Sequence, residues 1–186
     1  MPSRRPLAAA LALALAFAAP AAAKVFYSQE EALELAFPDA DRVDKRSEVL
    51  DDAQAARVEA RAGAPLPSRL VRLYTAWKDG AVLGWAFIDV HTVRTHPEAL
   101  LVVIGPDRRV RMLRTLAFYE PEEYLPSARW LRQLEGRALD EDLRLGGELH
   151  GIAGATLSSR AVTDAVRRSL ALLEVLAGPR PAAGEP

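Results

Sequence analysis

Residues 70–90 read LVRLYTAWKDGAVLGWAFIDV, and this stretch decides the fold class. Leu70, Leu73, Tyr74 and Trp77 lie among β-branched and aromatic neighbours, and Trp85 and Phe87 stand among Val and Ile residues on the return arm. Lys78-Asp79-Gly80 separates the two arms with residues that accept a tight turn. The pattern predicts a β-hairpin in which Gly84 marks a bulge or a close backbone approach. A second hairpin is expected immediately downstream, from Ala99–Ile104 through the turn Gly105-Pro106-Asp107-Arg108 to an arm spanning 109–116.

Working outward, the hairpins are flanked by helical patterns. Ser28-Gln29-Glu30-Glu31 reads as a capping box opening a short helix with Ala32, Leu33, Leu35, Ala36 and Phe37 on its apolar positions and Pro38 as its stop. A second helix is predicted from Asp52 to Ala62, capped by Asp51 or Asp52 and ended by Gly63. Downstream, Ser127 caps a short helix holding Trp130, Leu131 and Leu134. The last helix places Val162, Ala165, Val166, Ser169, Leu170, Leu173 and Leu176 on one face, with Arg160, Asp164, Arg167 and Arg168 read as its wet side. The fold expected is a single α+β domain with a mostly antiparallel sheet of about four strands and flanking helices.

The chain has 186 residues, half of them hydrophobic and 26% charged, which excludes an intrinsically disordered polymer. It has no cysteine, which excludes a disulfide scaffold and thiol chemistry. Residues 1–23 have the layout of a secretory signal peptide: Arg4 and Arg5, then 13 apolar residues from Leu7 to Ala19, then Ala21-Ala22-Ala23 as a cleavage site. A run of 13 is short of the roughly 20 residues that span a bilayer, so no stable membrane anchor is expected and the protein is placed in the periplasm. Removal of that segment moves the formal charge from −1 to −3, a balance that argues against nucleic acid as partner. The remaining chain divides into an N-terminal helical segment at 24–68, the main domain at 69–178 and a disordered Pro/Ala/Gly tail at 179–186.

Chemistry is concentrated just before the last helix, in His150-Gly151-Ile152-Ala153-Gly154-Ala155-Thr156-Leu157-Ser158-Ser159. Glycines let the backbone turn and let a ligand approach, and the first amides of a helix carry a partial positive charge that suits a phosphate. Thr156, Ser158 and Ser159 add hydroxyls, one of which can itself carry a phosphoester. The same residues also read as an ordinary loop with a Ser or Thr helix cap. The segment is not a P-loop, for it lacks the terminal Gly-Lys-Ser/Thr, nor a Rossmann turn, for it lacks the third glycine.

Gly154-Ala155-Thr156-Leu157-Ser158-Ser159-Arg160-Ala161-Val162 resembles the signature of the small FMN-binding domain found in subunits of Rnf-type electron-transport complexes and of sodium-translocating NADH:quinone reductase. The likeness extends more weakly to the hairpin residues Lys78 to Ala86 and covers roughly Leu70 to Leu173. It implies that FMN is joined to Thr156 as a phosphoester by a separate flavin transferase that draws on FAD. It also implies a membrane or periplasmic redox partner. Gly154, Ala155, Ser158 and Ser159 would line the cofactor site. Two positions depart from the signature: His150 stands where the family has Asp, and Ala153 where it has Ser or Thr. The alternative they raise is an FMN-binding or accessory module that is not flavinylated.

Residues 91–98, HTVRTHPE, are rich in polar side chains for a strand connection. Arg94 is a candidate for gripping a phosphate or a reduced flavin, with His91 beside it in the site. Two histidines and Glu98 also suggest zinc, but no spacing places them on one face, and a solvated loop reads equally well. Glu120, Tyr124 and Trp130 form a second group in which Glu120 is expected to pair with Arg94. Arg108 and Arg109 are read as solvated turn residues. No general acid–base pair or nicotinamide site is visible, so an electron carrier is expected rather than a substrate-turning enzyme.

Overall fold

Twelve residues of β4, Ala81–Thr92, run through the middle of a six-stranded antiparallel sheet. The computed structural model describes residues 24–146 and 149–178, and the signal-peptide and tail readings for 1–23 and 179–186 lie outside them. In chain order the elements are β1 (Lys24–Val25), α1 (Gln29–Ala36), β2 (Arg42–Val49), α2 (Asp52–Ala62), β3 (Leu70–Lys78), β4, β5 (Pro97–Ile104) and β6 (Val110–Phe118). Then come a short helix α3 (Ala128–Leu131) between two 3-10 turns, and α4 (Thr156–Ala177). The strand order is β1-β6-β5-β4-β3-β2.

The α+β class and both hairpins stand, but the expected count of about four strands is corrected to six. β1 is two residues long and leaves no pattern to read. β2 lies inside the segment expected to be helical. It is an edge strand exposed on both faces, so its sequence RVDKRSEV lacks the apolar alternation that marks a half-buried strand.

Local chemistry explains the boundaries. At α1 both capping-box bonds form, Glu31 N–H to Ser28 Oγ at 3.2 Å and Ser28 N–H to Glu31 Oε2 at 2.7 Å. Asp51 and Gln54 form a second box at α2, which Gly63 ends at φ 66°. Asp79 and Gly80 take φ 50° and 78°, the conformation of a two-residue hairpin turn between Lys78 and Ala81. Gly84 sits opposite a bulge at Ala76/Trp77, where a Cβ would lie 2.7 Å from the Ile104 carbonyl oxygen and 3.2 Å from the Phe37 ring.

The sheet is covered on both faces, so β5 reads as the continuous apolar run Leu100 to Ile104, all fully buried. Leu100, Val102 and Ile104 join Leu73, Phe87, Val58 and the apolar stripe of α4 on one face. Leu101 and Val103 join Tyr74, Ala76, Ala86, Leu116 and α1 on the other. At about 1.5–3 kcal/mol per large buried side chain, these two clusters supply the main stabilisation.

Helix α4 is held by more than its apolar stripe. Arg167 and Arg168, expected to be wet, are 3% and 5% exposed. Arg168 meets Asp89 of β4 with two parallel hydrogen bonds, Nε to Oδ2 at 2.9 Å and Nη2 to Oδ1 at 2.8 Å. Arg167 donates to the carbonyl oxygens of Ala62, Asp140 and Leu143. The sheet, α2 and the 140s loop close over that side of the helix, and each arginine finds acceptors there. Arg108 and Arg109 are likewise not free in solvent: Arg108 donates to Gly178 O at the end of α4, and Arg109 donates to Gly136 O.

Asp89 Oδ1 also lies 2.9 Å from His91 Nδ1, and His91 Nε2 lies 3.3 Å from Glu98 Oε2, misaligned for a hydrogen bond but close enough for charge attraction. Burial pulls the His91 pKa down, but the carboxylates of Asp89 and Glu98 outweigh it and lift the group from 6.5 to about 9. The imidazolium therefore contributes stability that is fully present below pH 6.5 and lost as pH rises through about 9. Denaturation midpoints measured across that window are expected to fall with pH in the native chain, and a His91→Gln variant with the same slope would contradict the assignment. Gly84→Ala is expected to lower stability by about 1–3 kcal/mol through overpacking, read by urea denaturation; an unchanged midpoint would show that the backbone does not approach tightly at Gly84.

Candidate functional site

The loop 149–155 delivers the chain to α4 without the cap expected of a Ser/Thr-rich turn. Ala155, at φ −126° and ψ 41°, is the N-cap residue, and no side-chain capping bond is made there among the described residues. Gly154 takes φ 80°, which a side chain would strain. The helical ladder begins with Ser159 N–H to Ala155 O at 3.1 Å, so the amides of Thr156, Leu157 and Ser158 precede it.

The hydroxyls divide by role. Ser159 is fully buried; its Oγ donates to Ala155 O at 3.1 Å and accepts from Ile152 N–H at 3.0 Å, bracing the loop against the first turn. Ser158 is buried as well. Thr156 is exposed at the first helical position.

Beside it opens a cavity of about 200 Å³, with Gly154, Ala155, Thr156, Leu157 and Ser158 on one wall and Val93, Arg94, Glu120 and Tyr124 on the other. Of the candidate residues, the cavity thus gathers Thr156, Gly154, Ala155, Ser158 and Arg94, and Tyr124 and Glu120 with them. Ser159 supports it from behind. His91 lies in the buried network under α4 and is not among the lining residues. His150 is exposed and does not line the cavity either; its carbonyl accepts the Trp130 indole N–H at 2.7 Å. Trp130 is buried in the core beside that bond.

Glu120 does not pair with the Arg94 guanidinium. Its Oε1 accepts the backbone amides of Arg94, Thr95 and His96 at 3.2, 2.6 and 2.8 Å, and the Thr95 hydroxyl at 3.3 Å. Three successive amides converging on one oxygen form an anion nest, and Glu120 occupies it. Burial raises its pKa, but the Thr95 and His96 amides and the His96 ring outweigh that and hold it at about 2. The bonds fix the loop 93–96 as one wall of the cavity. Arg94 is exposed, and its guanidinium makes no ion pair among the described residues. The arrangement therefore presents an unpaired cation, free helix amides and an alcohol around one small space, a combination that favours an anion.

Several residues here lacked a clear sequence signal. Asp89, Glu98 and Arg168 were missed as a network. Asp89 and His91 continue the inward parity of Phe87 along β4, and a charge at an inward position is the sign that would have shown it. Leu157, half-exposed in the cavity wall, and Val93 carry no distinguishing mark.

Glu120→Gln keeps the shape of the side chain and removes its charge. It is expected to cost about 1–2 kcal/mol, the worth of charge-assisted bonds near solvent, in denaturant titrations at neutral pH. In the native chain this stability is present above the ordinary value of 4.5 and is lost as pH falls towards 2. A glutamine variant with the same acid slope would disprove the nest.

No protein-family model, no curated protein and no solved structure matches this chain.

Proposed function

We propose that the chain is an extracytoplasmic flavoprotein that carries FMN as a phosphoester on Thr156 and relays electrons. The observation that supports this most directly is the exposed Thr156 at the uncapped start of α4, facing a cavity whose opposite wall carries Arg94. Free amides and a guanidinium stabilise a phosphodiester anion where the alcohol would bear it. The resemblance of Gly154 to Val162 to the covalent-FMN signature points to the same alcohol.

At about 200 Å³ the cavity is smaller than the roughly 300–1,000 Å³ common for small-ligand sites, so much of a bound cofactor would remain outside it. Weak enclosure of that kind makes a covalent link useful, because an ester holds what the cavity alone would release. Flavin supplies one- and two-electron chemistry when bound. The chain's own residues fix the phosphate end and hold the loop 93–96 in place, and Tyr124 offers an aromatic surface at the cavity rim. In maturation the Thr156 oxygen would displace AMP from FAD, exchanging an O–H for an O–P bond and leaving the chain heavier by FMN less one water.

The reading is tested by coexpression with a flavin transferase followed by intact mass and absorbance. The native chain is expected to gain the FMN mass and a yellow colour that survives denaturation, and Thr156→Val to gain neither. His150→Asp, which restores the residue of the signature, is expected to raise the modified fraction. Colour released on unfolding would instead identify a non-covalent FMN module, and a colourless native chain with a colourless His150→Asp variant would defeat the flavoprotein reading.

A further inference from the structure

We infer that the outer edge of β2 is a self-association surface, on which a second copy of this chain pairs antiparallel about a two-fold axis at Lys45. The sheet has two edges and they are treated differently. On the β1 side, the free flank of β6 is taken up by Phe26 N–H to Leu116 O and by Gly136 and Arg137 bonding to Val110. On the other side, β2 runs eight residues with nearly every side chain exposed.

Main-chain groups on that edge point outward in a definite order. Leu50 N–H reaches Arg69 O at 3.0 Å while Val49 stands in register with Leu70, so the even-numbered residues of β2 bond to β3. The amides and carbonyls of Val43, Lys45, Ser47 and Val49 therefore face away from the sheet. Such an edge is a template for a further strand.

Charge favours a second copy of the same strand and, among adjacent registers, one centred on Lys45. Arg42, Asp44, Arg46 and Glu48 share the α4 face, linked within the chain as Arg42–Asp44 at 3.3 Å and Arg46–Glu48 at 3.0 Å. A two-fold at Lys45 sets Arg42 opposite Glu48 of the second copy and Asp44 opposite its Arg46, each twice by symmetry. It also matches outward groups with outward groups, Lys45 with Lys45 and Val43 with Ser47. Moving the axis to Asp44 would oppose Arg42 and Arg46, and moving it to Arg46 would oppose Asp44 and Glu48. Only the Lys45 register is complementary among these three, at the expense of two lysines meeting at the axis, where both extend freely into solvent. Strand addition buries little apolar area, and interfaces below about 1,200 Å² belong to transient complexes, so the pairing is concentration- and salt-dependent.

Sedimentation equilibrium on the purified chain at low ionic strength, up to about 1 mM, tests this. The native chain is expected to show a reversible monomer–dimer equilibrium that weakens with salt. Asp44→Arg and Arg46→Asp each set like charges opposite one another and are expected to weaken self-association at least about tenfold. Mixed together, the two variants regain all four attractive pairs and are expected to form a heterodimer. Lys45→Pro removes an amide that faces away from β3, and it is expected to abolish pairing while circular dichroism stays native. A native chain that remains monomeric throughout, single variants that dimerise as the native chain does, or a mixture that stays monomeric would each overturn the proposal.

Discussion

The paired hydrogen bonds between Arg168 and Asp89 fix how the longest helix lies on the sheet, and the candidate site follows from that placement. Apolar burial between α4 and the strands is non-directional, and a stripe of Val, Ala and Leu tolerates sliding or rotation. A guanidinium fork on a carboxylate does not, because its two bonds need one alignment. Arg167, one residue earlier, reaches the carbonyls of Ala62, Asp140 and Leu143 and so ties α2 and the 140s loop to the same helix. Burying such charges is costly unless every donor is met, and replacing them by apolar residues is often neutral or stabilising. Their effect here is positional: the middle of α4 is fixed against β4, and its first turn lies beside the loop that follows β4.

That loop is fixed in turn by one carboxylate. Glu120 gathers three successive amides, and the segment 93–96, which has no regular structure, becomes a defined wall. A rigid helix start and a braced loop face each other, with Thr156 and Arg94 on opposite sides. Glu120 neutralises the amides and leaves the Arg94 guanidinium for whatever enters. The pairing of Glu120 with Arg94 that charge alone suggests would have cancelled the cation and weakened the site for an anion. Which donors a carboxylate meets is a matter of distance, and no inspection of residue types reveals it.

The same distinction runs through the fold. The two hairpins, the Ser28 capping box and the ends of α1 and α2 were readable because their causes are local: a turn needs Asp79 and Gly80, and a helix start needs Ser28 and Glu31. β2 was not, since an edge strand with water on both sides has no apolar face to alternate. The arginines of α4 were misread for a related reason. Helical periodicity separates apolar from charged positions, but it does not show that the surrounding sheet, α2 and the 140s loop close over the charged side as well.

By itself the sequence determined the two central hairpins, the starts and ends of α1 and α2, the antiparallel character of the sheet, and the one short segment dense in glycine and hydroxyls, because each of these is set by residues a few positions apart. Tertiary structure alone decided that Thr156 stays exposed while Ser158 and Ser159 are buried, that Arg94 lies across a cavity from it, and that Asp89, His91, Glu98 and Arg168 form one network. Those outcomes depend on contacts between residues up to 79 positions apart, such as Arg168 with Asp89, whose geometry exists only once the helix and the sheet have packed.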